Sequence, residues 1–496
     1  MQILEELQNS LIDQKKTIYS EGRVTKYFDG FLQVRGLNNV FYHEVIYIHQ
    51  ESYGTILVVK ALVVEVSDIS VKALLLDNIN ISAGAKAISK GDALSITIDI
   101  NKRGIIYDSI ASNITELLKN EDPQAIIDSV VIPIDLSLKN YQIIKDGIEG
   151  EGYNPSQDLK TGILAIDALS PIVKNRTNLI KGQKNTGKTT IAFDTILNQK
   201  GKDIVCIYCG IAKTRQDIYI LVNNLKQNKI VDNIIIINSY CDNRAINQYL
   251  APFVAYSIAK KILEKGGEVI VIYDDFSKHL QSYKHLCYLL NAPIDISGTY
   301  SKLLDKTDLT TLAILEGVDC DGDDELSKVF CRFTSTQIYL DSCGYRNGLR
   351  PAINTSLSSS YCYSSYLGNG NPIGKNSIQT KKDLSLYKEL YQYQNATELN
   401  YDHKKSLKHL VVLRRMMIQP NHHLLNPACI VARLRLGNTN YLDKKTTKEI
   451  DETFLDLDKS IITIWGQEIE DLNNGQWNQK IEDKIDSIIK KLLNIF

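Results

Sequence analysis

The spacing of apolar and polar positions changes along the chain and predicts three domains. Apolar residues near the start recur at helical spacing, which predicts a short amphipathic arm. Short stretches rich in Val, Ile, Tyr and Phe follow, separated by Gly, Asn, Asp and Ser. Such alternation is typical of a small all-β sandwich or barrel. We therefore predict a first domain over residues 1–95.

Residues 96–368 show a different pattern, in which continuous apolar stretches alternate with helical ones. This pattern predicts a mostly parallel sheet covered on both faces, which is a doubly wound nucleotide-binding core. After a loop rich in Ser, Tyr and Gly, residues 369–496 have helical periodicity. The prediction is an α/β core with an N-terminal β domain and a C-terminal helical domain.

Composition narrows the functional classes. The chain has 496 residues, 44% of them hydrophobic and 23% charged, which is typical of a folded globular protein. Its 57 basic residues nearly balance its 58 acidic ones, so nucleic acid is not an expected partner. The nine cysteines indicate a reducing compartment rather than a disulfide framework, and Cys206 and Cys209 are interpreted as buried structural residues. Without an apolar run of about 18 residues, any membrane association is expected to involve other subunits.

The segment from Gly182 to Thr189 matches the phosphate-binding motif GxxxxGK[ST], and it lies between an apolar strand and a helix-forming stretch. The glycines allow backbone N–H groups to surround phosphates, while Lys188 reaches the β and γ phosphates. The competing interpretation is a degenerate loop that binds no nucleotide. The predicted nucleotide-binding residues here are Gly182, Gln183, Lys184, Asn185, Thr186, Gly187, Lys188, Thr189 and Thr190.

A magnesium site is predicted from two oxygen donors. The Thr189 hydroxyl follows the P-loop lysine, and Asp274 ends the apolar stretch that begins after Glu268. P-loop proteins use this pair of residue types to hold Mg²⁺ and its water shell. The competing interpretation of Asp274 is an acidic turn at the end of a strand.

Two other clusters are weaker candidates for a metal site. The acidic segment 319–325 fits a solvated turn better than a calcium loop, and His422 with His423 fits a surface or packing role.

Several segments, in order, resemble the alpha subunit of F-type ATP synthase. They are residues 21–37, 161–172, 178–201, 247–253, 272–278 and 348–354. The resemblance implies a RecA-like P-loop core with an N-terminal β-barrel and a C-terminal helical domain. It also implies bound ATP or ADP with Mg²⁺, and alternation with catalytic beta-type subunits in a hexamer around a central shaft. Other subunits would connect this hexamer to a membrane sector or other motor machinery, on the cytoplasmic or organellar-matrix face.

The same resemblance assigns further residues. Arg350 and Pro351 fall where the family flanks the adenine, and Gln394 is a weaker match to that pocket. Lys213 stands near the position of the catalytic Glu of beta subunits, so a non-catalytic pocket is implied and no catalytic residue is assigned. The expected function is therefore an ATP-holding subunit that supports synthesis or hydrolysis at sites shared with its partner.

Two departures from the family pattern leave more than one function open. Tyr361 takes the place of an arginine that alpha subunits send to the beta site, with Arg332 and Arg346 as candidate substitutes. The segment 291–300, which the family places near the shaft, is shortened. These changes fit a diverged organellar or AT-rich bacterial alpha subunit, or a paralogue in an F-type-like motor of the mycoplasma kind that is not coupled to ATP synthesis. The competing hypotheses are a self-sufficient RecA-like hexameric ATPase and a structural ring subunit that binds no nucleotide.

Overall fold

A computed structural model describes most of the chain. The described residues are 20–52, 54–101, 103–109, 130–134, 158–304, 309–317, 325–361, 371–392, 401–464 and 479–493. The chain forms two compact units. The first contains residues 1–138, 207–266 and 278–295, and the second contains residues 139–206, 267–277 and 296–496.

Strands predominate before the P-loop and helices after it. The strands are β1 (Ser20–Phe28), β2 (Phe31–Arg35), β3 (Glu44–Ser52), β4 (Thr55–Val66), β5 (Val71–Leu75), β6 (Lys86–Ala93), β7 (Ser95–Ile98), β8 (Ile105–Tyr107), β9 (Val130–Pro133), β10 (Asp158–Leu159), β11 (Ile172–Val173), β12 (Thr177–Gly182), β13 (Ile204–Lys213), β14 (Ile234–Tyr240), β15 (Glu268–Asp274), β16 (Thr310–Glu316), β17 (Thr336–Leu340) and β18 (Ser359–Ser360).

The α-helices are α1 (Leu164–Leu169), α2 (Lys188–Leu197), α3 (Arg215–Gln227), α4 (Ala245–Glu264), α5 (Phe276–Leu290), α6 (Ile296–Leu304), α7 (Glu325–Phe333), α8 (Ser342–Arg346), α9 (Pro372–Gln392), α10 (Tyr401–Met416), α11 (Pro427–Gly437), α12 (Thr447–Ile464) and α13 (Gln479–Leu492). None of the helices in the described ranges is long and apolar enough to cross a membrane.

The first unit begins with a closed antiparallel barrel in the strand order β1-β2-β5-β4-β3-β6. Alternate residues of β1 and β2 point inward, so that the interior is filled by aliphatic side chains such as Val24, Leu32 and Ile46. Alternation with period two puts these side chains on one face of each strand. The expectation of an N-terminal barrel is thereby confirmed.

The same unit also contains part of the α/β core. Its strands follow the order β13-β14-β8, with residues 207–213 of β13 belonging to this unit, and β14 runs parallel to β8. Cys206 and Cys209 are fully buried on β13, and burial raises the pKa of Cys206 to about 12. A buried thiol with a raised pKa is not a reactive thiolate, which agrees with a structural role for this cysteine.

The second unit contains the strands that position the P-loop. Their order is β18-β17-β12-β16-β15, in which β12 lies parallel to both β16 and β17. Every residue of β12 is buried, as expected for an apolar strand in the middle of a parallel sheet. In this register Gly182 lies opposite Glu316 on one side and Leu340 on the other. The carboxyl ends of these strands therefore share one edge.

Helices α9 to α13 form the C-terminal part of the second unit. Helix α11 is almost wholly buried and begins at the cap residue Asn426, whose side chain accepts a hydrogen bond from the Cys429 N–H. Within it, Arg433 is 2% exposed and its Nη2 lies 2.5 Å from Asp458 Oδ2 of α12. Burial of one partner without the other would be unfavourable, so this pair fixes α11 against α12.

The predicted α/β P-loop core with a barrel and helices is confirmed; the domain boundaries after residues 95 and 368 stay predictions.

Candidate nucleotide-binding site

The P-loop follows β12 and turns sharply before α2. Gly187 has φ of 95° and Asn185 has φ of 62°, both in the left-handed region that suits glycine and asparagine. A Cβ on Gly182 would lie 2.8 Å from Leu340 Cβ and 2.9 Å from Thr186 Oγ1. Glycine is thus required at this point for the loop to close against β17. The side chains of Lys184 and Asn185 are exposed.

Lys188 is held inside this loop. It is 8% exposed, and its Nζ donates hydrogen bonds to the carbonyl oxygens of Gly182 (2.9 Å) and Gln183 (2.6 Å). Lys188 is also the first residue of the ten-residue helix α2, whose N-terminal N–H groups carry a partial positive charge. The loop, the ammonium group and the helix end together suit an anion such as a phosphate chain.

Two side-chain oxygens that could ligate a metal ion meet next to Lys188. The hydroxyl of Thr189 donates a hydrogen bond of 2.8 Å to Asp274 Oδ2, and Asp274 is 1% exposed at the end of β15. The peptide bond between Asp274 and Asp275 is cis. A hydroxyl and a carboxylate are oxygen ligands of the kind that Mg²⁺ takes in phosphate sites. In the described ranges, no cluster of three or more His, Cys, Asp or Glu side chains offers a different metal site.

A pocket continues from the P-loop to the position expected for a nucleobase. Its lining residues are Ile163, Thr186, Gly187, Thr190, Ile191, Asp194, Tyr345, Arg350, Pro351, Gln419, Pro420, Asn421 and His423. The Arg350 guanidinium lies 3.4 Å from the centre of the Tyr345 ring, a cation–π contact, and the Arg350–Pro351 peptide bond is cis. The structure thus brings Arg350 and Pro351 into one pocket with residues of the P-loop.

Gln419 connects the walls of this pocket. Its Oε1 accepts a hydrogen bond from the Leu164 N–H (2.7 Å), while its Nε2 donates to the carbonyl oxygens of Gly162 and His423, each at 2.9 Å. Its own backbone N–H donates to the Arg350 carbonyl oxygen at 2.8 Å. A buried amide with all these bonds positions its neighbours rather than contacting a ligand through a free group.

A hydrogen bond joins α2 to the loop that carries Gln419. His422 Nδ1 lies 2.7 Å from Asp194 Oδ1, and the His422 ring meets Phe193 edge-on. Burial raises the pKa of Asp194, and the bond and charge of His422 partly oppose this rise. His422 therefore packs against the P-loop helix.

The remaining residues that the sequence singled out lie elsewhere. Lys213 ends β13 in the first unit. Tyr361 is 54% exposed just after β18, and Arg332 and Arg346 are exposed. Gln394 and most of the acidic segment 319–325 lie outside the described residues.

Sequence reasoning missed several contributors to the pocket, among them Ile163, Tyr345 and Gln419. The Gln-Pro step at Gln419, between two helical stretches, was the only local signal at that residue. It marks a turn but gives no indication that the glutamine bonds to residues some 250 positions earlier.

These features define a P-loop nucleotide-binding protein with a RecA-like core. The profile of the ATP synthase alpha/beta family, nucleotide-binding domain, matches residues 162–360. The ATP synthase subunit alpha of Clostridium kluyveri is 31% identical over 365 residues, which cover 68% of this chain and 71% of that protein. The ATP synthase subunit alpha of Clostridium acetobutylicum is 29% identical over 430 residues, or 83% of this chain and 80% of that protein. The chain belongs to the ATP synthase alpha/beta family, as a diverged F-type alpha-type member.

Proposed function

We propose that this chain is a non-catalytic subunit that holds Mg-ATP or Mg-ADP in an F-type rotary ATPase. It would alternate with a beta-type catalytic subunit in a hexamer around a central shaft. Other subunits would connect this ring to a membrane sector, so that the whole assembly couples ion transport to ATP synthesis or hydrolysis. The names of the relatives, ATP synthase subunit alpha, support this choice of partners.

The binding half of the proposal rests on the P-loop. Lys188 lies within the loop, and Thr189 is hydrogen-bonded to the buried carboxylate of Asp274. Arg350 and Tyr345 stack beside the same loop, where a nucleobase would extend from the phosphates. We propose all nine residues from Gly182 to Thr190, with Arg350 and Pro351, as nucleotide contacts, and Thr189 with Asp274 as the Mg²⁺ site. Gln394 remains a predicted contact of the same pocket.

The non-catalytic half rests on one observation, the absence of a carboxylate where β13 ends. Residues 210–216 read Gly, Ile, Ala, Lys, Thr, Arg and Gln. The first acid, Asp217, accepts hydrogen bonds from the Thr214 N–H (3.0 Å) and hydroxyl (2.7 Å) in a capping box of α3. Hydrolysis requires a group that orients the attacking water. Lys213 cannot accept a proton from that water while it is charged.

Separate variants in the two kinds of subunit test this division of roles. Lys188→Ala in this chain should lower the nucleotide retained by the purified complex and leave catalytic residues of the partner intact. The equivalent lysine variant in the beta-type partner should abolish turnover and leave the nucleotide on this chain. Loss of all turnover in a Lys188→Ala complex that assembles normally would contradict the proposal.

A second candidate function, an alpha-type subunit of a specialised motor that does not synthesise ATP, is favoured by Tyr361. This exposed residue stands where the family resemblance expects an arginine that serves the partner's site. Such arginines contribute roughly 10³- to 10⁵-fold to phosphoryl transfer. Tyr361→Arg should therefore raise hydrolysis by the complex, whereas Ser359→Arg, an exposed site on β18, should not. Equal turnover in the Tyr361→Arg and native complexes would mean that this position does not serve the partner's site.

A further inference from the structure

A second carboxylate lies at the edge of the sheet that carries the P-loop. Glu316 is the last residue of β16, and β16 lies between β12 and β15 in the sheet. The neighbouring strands end in Gly182, where the P-loop begins, and in Asp274. Glu316 is therefore flanked by the phosphate-binding loop on one side and by the proposed Mg²⁺ carboxylate on the other.

The strand register places the Glu316 and Asp274 side chains on the same face of the sheet. Tyr273 pairs with Ala313, so Asp274 is level with Ile314, and Glu316 follows two residues later. Residues two apart on a strand point to the same face. The side chain of Asp274 meets Thr189 of α2, so this is the face that α2 covers. Gly182, the direct partner of Glu316 in β12, is on that face as well.

The backbone of Glu316 is fixed to the segment that follows Asp274. The Glu316 N–H donates to Ser277 Oγ at 2.8 Å, and the same hydroxyl donates to the Glu316 carbonyl oxygen at 3.0 Å. The next residue, Gly317, donates its N–H to the Gly182 carbonyl oxygen at 3.2 Å. That oxygen also accepts a bond from Lys188 Nζ. Glu316 is thus positioned by both sides of the site.

The Glu316 carboxylate has no hydrogen bond or ion pair with any residue in the described part of the chain. It is only partly buried, so it has access to water. Mg²⁺ in phosphate sites keeps several of its water ligands, and those waters need hydrogen-bond acceptors around them. We propose that Glu316 is a positioning residue of the Mg-nucleotide site, an inference that rests on the function proposed above. It accepts hydrogen bonds from metal-bound waters and so makes nucleotide retention depend on Mg²⁺.

The charge of Glu316 provides a sharp test. In the presence of Mg²⁺ the carboxylate would strengthen binding, but without the metal it is a negative charge near the phosphates and would weaken binding. Retention of labelled ATP by the full-length chain in its purified complex should be titrated with Mg²⁺, and also measured in EDTA. Glu316→Gln preserves the shape of the side chain. Glu268→Gln is the matched control, since Glu268 starts β15 at the opposite edge and pairs with Lys174 at 2.6 Å.

We expect Glu316→Gln to raise the Mg²⁺ concentration for half-maximal ATP retention by about 10-fold, in line with the loss of other outer ligands of metal sites. In EDTA the same variant should retain ATP at least as well as the native chain. Glu268→Gln should match the native chain in both conditions. An unchanged Mg²⁺ midpoint, or equal loss with and without Mg²⁺, would overturn the role of Glu316. If the native chain itself shows no Mg²⁺-dependent ATP retention, the proposed function fails together with this inference.

Discussion

The proposed phosphate side and the proposed base side of the nucleotide site are built in different ways. The phosphate side comes mainly from one continuous segment, Gly182 to Thr190, completed by Asp274 from a nearby strand. The base side is assembled from three separate segments around Gly162, Arg350 and Gln419, held together by the side-chain amide of Gln419, which bonds to Gly162, and by its backbone N–H, which bonds to Arg350. The comparison teaches that the anion site depends on local backbone geometry, whereas the base pocket depends on tertiary hydrogen bonds.

The largest effect is expected from breaking the base side at Gln419. Gln419→Leu leaves the Leu164 N–H and the Gly162 carbonyl oxygen without their present partner. Unpaired buried groups cost about 1 to 3 kcal/mol each, so the loss of two partners should lower the free energy of unfolding by about 2 to 6 kcal/mol. Urea unfolding measures this loss, with Gln379→Leu, whose exposed amide pairs with Asp383, as the control. Equal stability of the two variants would show that Gln419 does not hold the pocket together.

The next effect concerns the phosphate side. Thr189→Val keeps the size of the side chain but removes the hydroxyl that bonds to Asp274. We expect Mg²⁺-dependent ATP affinity to fall about 10- to 100-fold, while ATP binding in EDTA changes little. Thr195→Val on the same helix removes a hydroxyl whose only partner among the described residues is the Ile191 carbonyl oxygen. If Thr195→Val lowers Mg²⁺ dependence as much as Thr189→Val, the effect belongs to the helix and not to the metal site.

A smaller effect should show whether the base side contributes to ATP binding independently of the phosphate side. Tyr345→Ala removes the ring beneath the Arg350 guanidinium, a contact worth about 0.5 to 2 kcal/mol. ATP affinity should fall by roughly 2- to 30-fold, since each 1.4 kcal/mol is tenfold. Inorganic triphosphate, which has no base, should bind as it does to the native chain. Tyr345→Phe keeps the ring and serves as the control. A loss of triphosphate binding in Tyr345→Ala would contradict this separation, because it would show that phosphate binding also depends on Tyr345.

The smallest effect is expected at the junction of the two sides, where Asp194 of α2 meets His422. Burial raises the pKa of Asp194, so the folded chain binds this proton more tightly than the unfolded chain does. The stabilising contribution is present below the unfolded pKa and is lost as pH rises through the folded pKa. Urea unfolding across pH 3 to 7 should show a smaller loss of stability with rising pH in Asp194→Asn than in the native chain; identical slopes would contradict this assignment.

The sequence predicted those parts of the molecule that have a local physical signal. Alternation of buried and exposed residues predicted the barrel strands, and continuous apolar strands predicted the parallel sheet around β12. The P-loop was predicted because its glycines, lysine and threonine are consecutive. The sequence likewise indicated that β13 ends in Lys213 and not in a carboxylate.

The base side could not be predicted in the same way. Arg350 and Pro351 were predicted only through the family resemblance. Gln394 was predicted in the same way, and it lies outside the described residues. Gln419 and Leu164 are 255 positions apart, and nothing in either segment indicates their hydrogen bond. Glu316 was missed for a related reason, since its place beside Gly182 follows from strand order and register, not from a motif.

The central claim, that this chain holds a nucleotide while a partner turns it over, is tested most directly by native mass spectrometry of the complex purified from its source. Bound nucleotides should be released and identified by chromatography at the same time. The account predicts a ring of this chain alternating with a beta-type subunit, with ATP or ADP retained on this chain. A ring made of this chain alone that hydrolyses ATP would contradict it.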